Sequence, residues 1–75
     1  PDPAIFKYAL NQANAKAEAS VMIGDDYHVD VAGALRAGMQ AIWFDPSAKN
    51  SYAYEHCISE LSELLTLIPK LSLTY

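Results

Sequence analysis

Three carboxylates fall within six residues in Val21-Met22-Ile23-Gly24-Asp25-Asp26-Tyr27-His28-Val29-Asp30. They follow a short apolar run that ends at glycine. A strand of that kind delivers Asp25 to the carboxyl edge of a sheet, where open α/β folds bind ligands. Acids so close together repel one another, and a hard cation relieves the repulsion. Mg²⁺ is bound through one or two carboxylates, with waters and a substrate phosphate completing its shell. The plainer reading makes Asp25 and Asp26 loop and cap residues, with Asp30 a favourable acid in the first turn of a helix. Residue types and spacing alone leave the two readings even.

Other reactive side chains carry less. His28 sits in the acidic loop within reach of a ligand, but an exposed histidine at a helix start is the commoner case. Tyr52 and Tyr54 read as loop residues packing on the sheet edge, with an aromatic contact as the alternative. Trp43 reads as core. Cys57 is a nucleophile only beside a positioned base; His56 is its neighbour, yet successive strand residues point to opposite faces, so an inert buried thiol is expected. Lys7 is expected in solvent on the polar side of a helix.

These residues must be positioned by elements, and punctuation marks them. Asp2 and Pro3 read as the cap and first position of a helix running to about Ala15, with Ile5, Phe6, Ala9, Leu10 and Ala13 as its apolar stripe. Val21–Ile23 reads as a strand covered on both faces and stopped by Gly24. A second helix is expected from about Val29 to Ala37, closed by Gly38 in the left-handed conformation. Ala41–Phe44 reads as a second buried strand broken at Asp45-Pro46, followed by a loop over 47–55 and a short strand at His56–Ile58. Ser59 is then expected to cap a third helix striped by Leu61, Leu64, Leu65 and Ile68 and discouraged from continuing by Pro69. The last residues, 70–75, are ambiguous. Helices alternating with strands imply a parallel sheet. Two or three strands are too few to stand alone, so the chain is expected to be part of a larger α/β domain of three layers, α/β/α and Rossmann-like.

The chain has 75 residues, 52% of them hydrophobic and 19% charged, which fits one small domain and argues against disorder. With five basic residues and a net charge of −4, it lacks the cationic stripe that a nucleic-acid binder needs. No apolar run approaches the roughly 20 residues that span a bilayer, so no membrane role is expected. The single cysteine excludes an internal disulfide and fits a reducing, cytoplasmic compartment.

Pro1-Asp2-Pro3-Ala4-Ile5-Phe6, the stretch from Val21 to Asp30, Ala32-Gly33-Ala34-Leu35-Arg36-Ala37-Gly38-Met39 and Ile42-Trp43-Phe44 together closely resemble the C-terminal part of haloacid dehalogenase (HAD) superfamily hydrolases. The flavour is that of phosphatases with an early helical cap, in the manner of the pyrimidine nucleotidase or phosphoglycolate phosphatase branches. The resemblance runs from Pro1 to about Ile68 and is most specific around Asp25 and Asp30. It implies that Asp25 is a direct Mg²⁺ ligand, that Asp30 is the second acid orienting the metal shell, and that Asp26 is an outer-shell acid or a cap. It implies a Mg²⁺-dependent hydrolase of small phosphate esters acting through an aspartyl-phosphate, with a small phosphorylated substrate and the rest of its own core domain as partners. Dehalogenases of the superfamily generally lack the first acid, which favours a phosphatase. The nucleophilic aspartate, the acid/base aspartate and the lysine that stands before the residue matching Pro1 are not in this chain; Asp45 and Lys7 do not replace them. The 75 residues are thus expected to be the C-terminal portion of one core domain, lacking the nucleophile strand and cap. Two rival expectations are a phospho-receiver-like Mg²⁺-binding signalling module, against which the position of Asp45 counts, and an inactive structural fragment.

Overall fold

The computed structural model describes residues 3–73. Helix α1 spans Ala4–Gln12, strand β1 Val21–Gly24, helix α2 Ala32–Arg36, strand β2 Gln40–Phe44, strand β3 Cys57–Ile58 and helix α3 Leu64–Leu67. The strands form one sheet in the order β1-β2-β3, and both pairings are parallel. Each parallel crossover needs a connecting segment. The first, from β1 to β2, is a wide π turn over Tyr27–Val31 that runs into α2. The second, from β2 to β3, is a loop.

The core gathers on one face of β2. Ala41 and Trp43, two apart and therefore on the same side of the strand, meet Phe6 of α1 and Val31 and Ala34 of the π turn and α2. Ile42 on the opposite side is fully buried as well. Gly33 sits so close beneath the Phe6 ring that a Cβ at that position would overlap it, which is what lets α1 lie against α2. Gly38 closes the helical part of the first crossover with φ +84°, as expected for a left-handed cap.

Several expectations need correction. Helix α1 stops at Gln12, and of its stripe only Phe6 is buried; Ile5 is 66% exposed. The expected Asp2 cap lies outside the described residues. Strand β1 is half-buried along its length, because β2 pairs with it on one side only among the described residues. The second helix begins earlier than Val29, as a π turn from Tyr27, and its α-helical part ends at Arg36. Ser59 does not cap the third helix. Glu60 is the N-cap, and the Glu63 carboxylate reaches back to accept from the Glu60 and Ser59 N–H groups at 2.9 and 2.8 Å. The helix itself is one α turn between 3₁₀ turns at Leu61–Glu63 and Ile68–Lys70, and Leu65 is 82% exposed. Helical spacing identifies a shared face; burial also requires a surface for that face to meet.

Candidate functional site

Strand β1 ends at Gly24, which pairs with Trp43 across the sheet, and the backbone then turns out of the ladder at Asp25. The Trp43 indole Nε1–H donates to the Asp25 carbonyl at 2.9 Å, fixing the main chain where the strand ends. The Asp25 side chain is exposed and makes no hydrogen bond to a described residue.

Its two acidic neighbours are differently placed. Asp26 is the N-cap of the π turn, and its Oδ1 accepts from the Val29 N–H at 2.9 Å. Asp30, half-buried, turns back so that its Oδ2 accepts from the Asp26 N–H at 3.1 Å. Its carboxyl lies directly against Gly24, where any Cβ would collide with it. The sequence brings three acids together; Asp26 and Asp30 each give one carboxylate oxygen to the backbone, whereas both oxygens of Asp25 are without a hydrogen bond to a described residue. Among the described residues no group of three or more His, Cys, Asp or Glu is arranged to hold a metal ion. A single free carboxylate with hard oxygen donors fits an ion that takes one or two protein carboxylates and draws its other ligands from water and phosphate. The π turn is a further sign, since such widenings are frequent at functional sites.

An open cleft of about 360 Å³ adjoins the free acid, lined by Asp25, Asp26, Tyr27, His28, Trp43 and Tyr52. Tyr27 and Tyr52 are stacked in parallel, with centroids 4.3 Å apart and planes 9° from coplanar. Tyr27 also meets Trp43 edge-on at 5.3 Å and Tyr54 at 5.6 Å. His28 is exposed, and its Nε2 lies 2.8 Å from the Tyr52 hydroxyl. Sequence reasoning preferred loop packing over an aromatic contact for Tyr52, and it passed over Tyr27 entirely. No spacing rule joins His28 to a tyrosine 24 residues away.

Asp45 shapes the loop that carries Tyr52. It is buried at the end of β2, and its carboxylate accepts from the Ser47 hydroxyl at 2.6 Å, the Ser47 N–H at 3.2 Å and the Asn50 N–H at 2.8 Å. These bonds, the Ser47 hydroxyl first, outweigh burial and hold its pKa below the ordinary value. The same bonds tie it to the loop that follows β2. Asn50 then clamps Tyr54, its Oδ1 accepting from the Tyr54 N–H at 2.9 Å and its Nδ2 donating to the Tyr54 carbonyl at 3.0 Å. The Tyr54 hydroxyl donates to the Ala41 carbonyl at 2.8 Å. Cys57 is half-buried, and burial, with Asp45 and Glu63 nearby, pushes its thiol pKa up. Lys7 is exposed on α1.

Comparison with known proteins places this geometry in context. The HAD-hydrolase-like family profile matches residues 1–62. The glyceraldehyde 3-phosphate phosphatase of Pyrococcus furiosus is 36% identical over 76 aligned residues, covering 93% of this chain and 32% of that protein. A HAD phosphatase structure from Thermococcus onnurineus superposes with a TM-score of 0.84 at 30% identity, covering 97% of this chain and 34% of the other. The structure of a 2-haloacid dehalogenase from Pseudomonas syringae pv. Tomato superposes with a TM-score of 0.82 at 39% identity, covering 93% of this chain and 32% of the other. The chain therefore spans about a third of the length of these relatives.

Proposed function

This chain belongs to the HAD-like hydrolase family, and we propose that it supplies the metal-holding acid of a Mg²⁺-dependent hydrolase of small phosphate esters that works through an aspartyl-phosphate. The observation that carries the reading is the exposed carboxylate of Asp25 at the carboxyl end of β1, with no hydrogen bond to a described residue and beside an open cleft. The likeness to proteins named as phosphatases, one acting on glyceraldehyde 3-phosphate and another, from Thermus thermophilus, on phosphoserine, supports phosphate esters as the substrate class.

In this reading Asp25 holds the ion directly. Asp30 keeps the loop in shape by accepting from the Asp26 N–H, and Asp26 holds the start of the π turn. An ion held by Asp25 would supply positive charge to offset that of the phosphoryl group. The nucleophilic aspartate, the acid that protonates the leaving oxygen and the lysine belong to polypeptide outside these 75 residues. There, attack on phosphorus forms the acyl phosphate and releases the alcohol; water then returns the carboxylate and inorganic phosphate.

The test is phosphate release by the full-length protein from a panel of sugar and amino-acid phosphates across a Mg²⁺ titration, with Asp25→Asn alongside. Removing even the outer partners of metal ligands costs roughly 10- to 100-fold, so at low Mg²⁺ the variant is expected to lose about 100-fold or more. Equal activity of variant and parent at every Mg²⁺ concentration, or halide release from 2-haloacids with no phosphate release, would overturn the proposal.

A further inference from the structure

The main chain of Asp25 is anchored at its carbonyl by Trp43, but its carboxylate has no protein partner among the described residues. After Asp26, which is bonded to Asp30 and Val29, the next side chain along the chain is the Tyr27 ring. That ring is enclosed by three others from β2 and the loop that follows it: Trp43, Tyr54 and Tyr52. Trp43 and Tyr54 belong to the core and its margin, where packing and the Ala41 hydrogen bond account for them. Tyr52 is different. It is 48% exposed, yet it covers Tyr27 in parallel and its hydroxyl meets His28 from the same acidic loop.

The backbone around Tyr52 is built at a cost. Ala48, Asn50 and Ala53 have φ of +60°, +45° and +49°, a region that non-glycine residues adopt only when their surroundings over-determine it. Asp45 and Asn50 provide that constraint through their bonds to Ser47, Asn50 and Tyr54. Ala53 directly follows Tyr52. The strained, cross-braced loop thus returns an exposed tyrosine to the acidic loop, touching it at two consecutive residues, Tyr27 and His28.

We propose that Tyr52 is a positioning residue for the Asp25 carboxylate: its stack on Tyr27, reinforced by the bond to His28, holds the 25–28 turn in the conformation that binds the cation. This rests on Asp25 being the metal ligand. The stack is the main contributor, because an exposed hydrogen bond competes with water whereas the ring contact does not.

The experiment is calorimetric titration of Mg²⁺ into the full-length protein, its Tyr52→Leu and Tyr52→Phe variants, Tyr27→Leu and the Tyr27→Leu/Tyr52→Leu double variant, with kcat and KM measured at saturating Mg²⁺. Losing the stack is expected to weaken Mg²⁺ binding about three- to tenfold in Tyr52→Leu, while Tyr52→Phe, which keeps the stack, stays within about twofold of the parent. Substrate KM is expected to stay within about twofold and kcat to recover at saturating Mg²⁺, because the loss is in metal affinity. Adding Tyr52→Leu to Tyr27→Leu should change nothing further, since the two rings act as one unit. Should Tyr52→Leu fail to fold, as judged by thermal melting, Tyr52→Met carries the same expectation. Parent-like Mg²⁺ affinity in the folded variant overturns the proposal, and so does a raised substrate KM at saturating Mg²⁺, which would make Tyr52 a substrate contact. A parent protein that does not bind Mg²⁺ at all removes the Asp25 assignment and this proposal with it.

Discussion

At the scale of single residues, the acids divide by what their oxygens already do. Asp45 accepts three hydrogen bonds and its pKa is depressed in the folded protein. A group lowered in this way adds stability above its unfolded pKa, and that stability is lost as pH falls through the folded value. Acid unfolding followed by circular dichroism is therefore expected to show a steeper loss of stability below about pH 4 in the parent than in Asp45→Asn, with the variant less stable at neutral pH. A parent and variant with parallel pH profiles would show that Asp45 carries no such linkage. The acid cluster and its place at a strand end were legible in the sequence because strand, glycine and acid follow one another locally. Which of the three acids remains free was not. That depends on Asp26 finding the Val29 N–H and on Asp30 folding over Gly24, contacts set by the backbone path.

Among the elements, local signals located the pieces and tertiary contacts altered them. The apolar runs of β1 and β2 and the Gly38 cap were readable because each is a short-range pattern. The π turn was not. It coincides with the Asp26 cap and the aromatic packing of Tyr27, and neither leaves a periodic trace in the sequence. The approach of α1 to α2 gives a direct test. Replacing Gly33 with alanine places a methyl group inside the volume of the Phe6 ring and must displace it. Overpacking of this kind typically costs about 1–3 kcal/mol, so chemical denaturation of Gly33→Ala in the full-length protein should show a loss in that range. An unchanged midpoint would mean that Phe6 moves aside freely. The leucines of the third helix teach the opposite lesson. Their spacing suggests a buried stripe, yet Leu61 and Leu65 are exposed, because a period carries no information about the partner surface.

For the whole molecule, the exposed apolar residues form the dominant feature. Ile5 and Tyr8 on α1, Leu35 on α2, and Leu61 and Leu65 near the chain's end all face outward. The sheet has only three strands, and β1 is half-buried. A chain of this size buries only about 60% of the surface that it exposes when unfolded, so such losses weigh heavily. Expressed alone, residues 1–75 are expected to bind a hydrophobic dye and to self-associate in sedimentation velocity. A monomeric, dye-silent 75-residue chain would show that these surfaces need no cover. The helix–strand order alone raises the expectation of further strands, because a parallel sheet is ordinarily covered on both faces and two or three strands are too few to stand alone.

The bond from Trp43 to the Asp25 carbonyl has one more consequence. Trp43 is the only tryptophan in these 75 residues. Its near-ultraviolet emission is sensitive to the dipole that its ring nitrogen faces, so these 75 residues carry a native optical gauge wired to the backbone of the acid at the strand's end. Rearrangements of that peptide unit can be followed in real time without attaching a label.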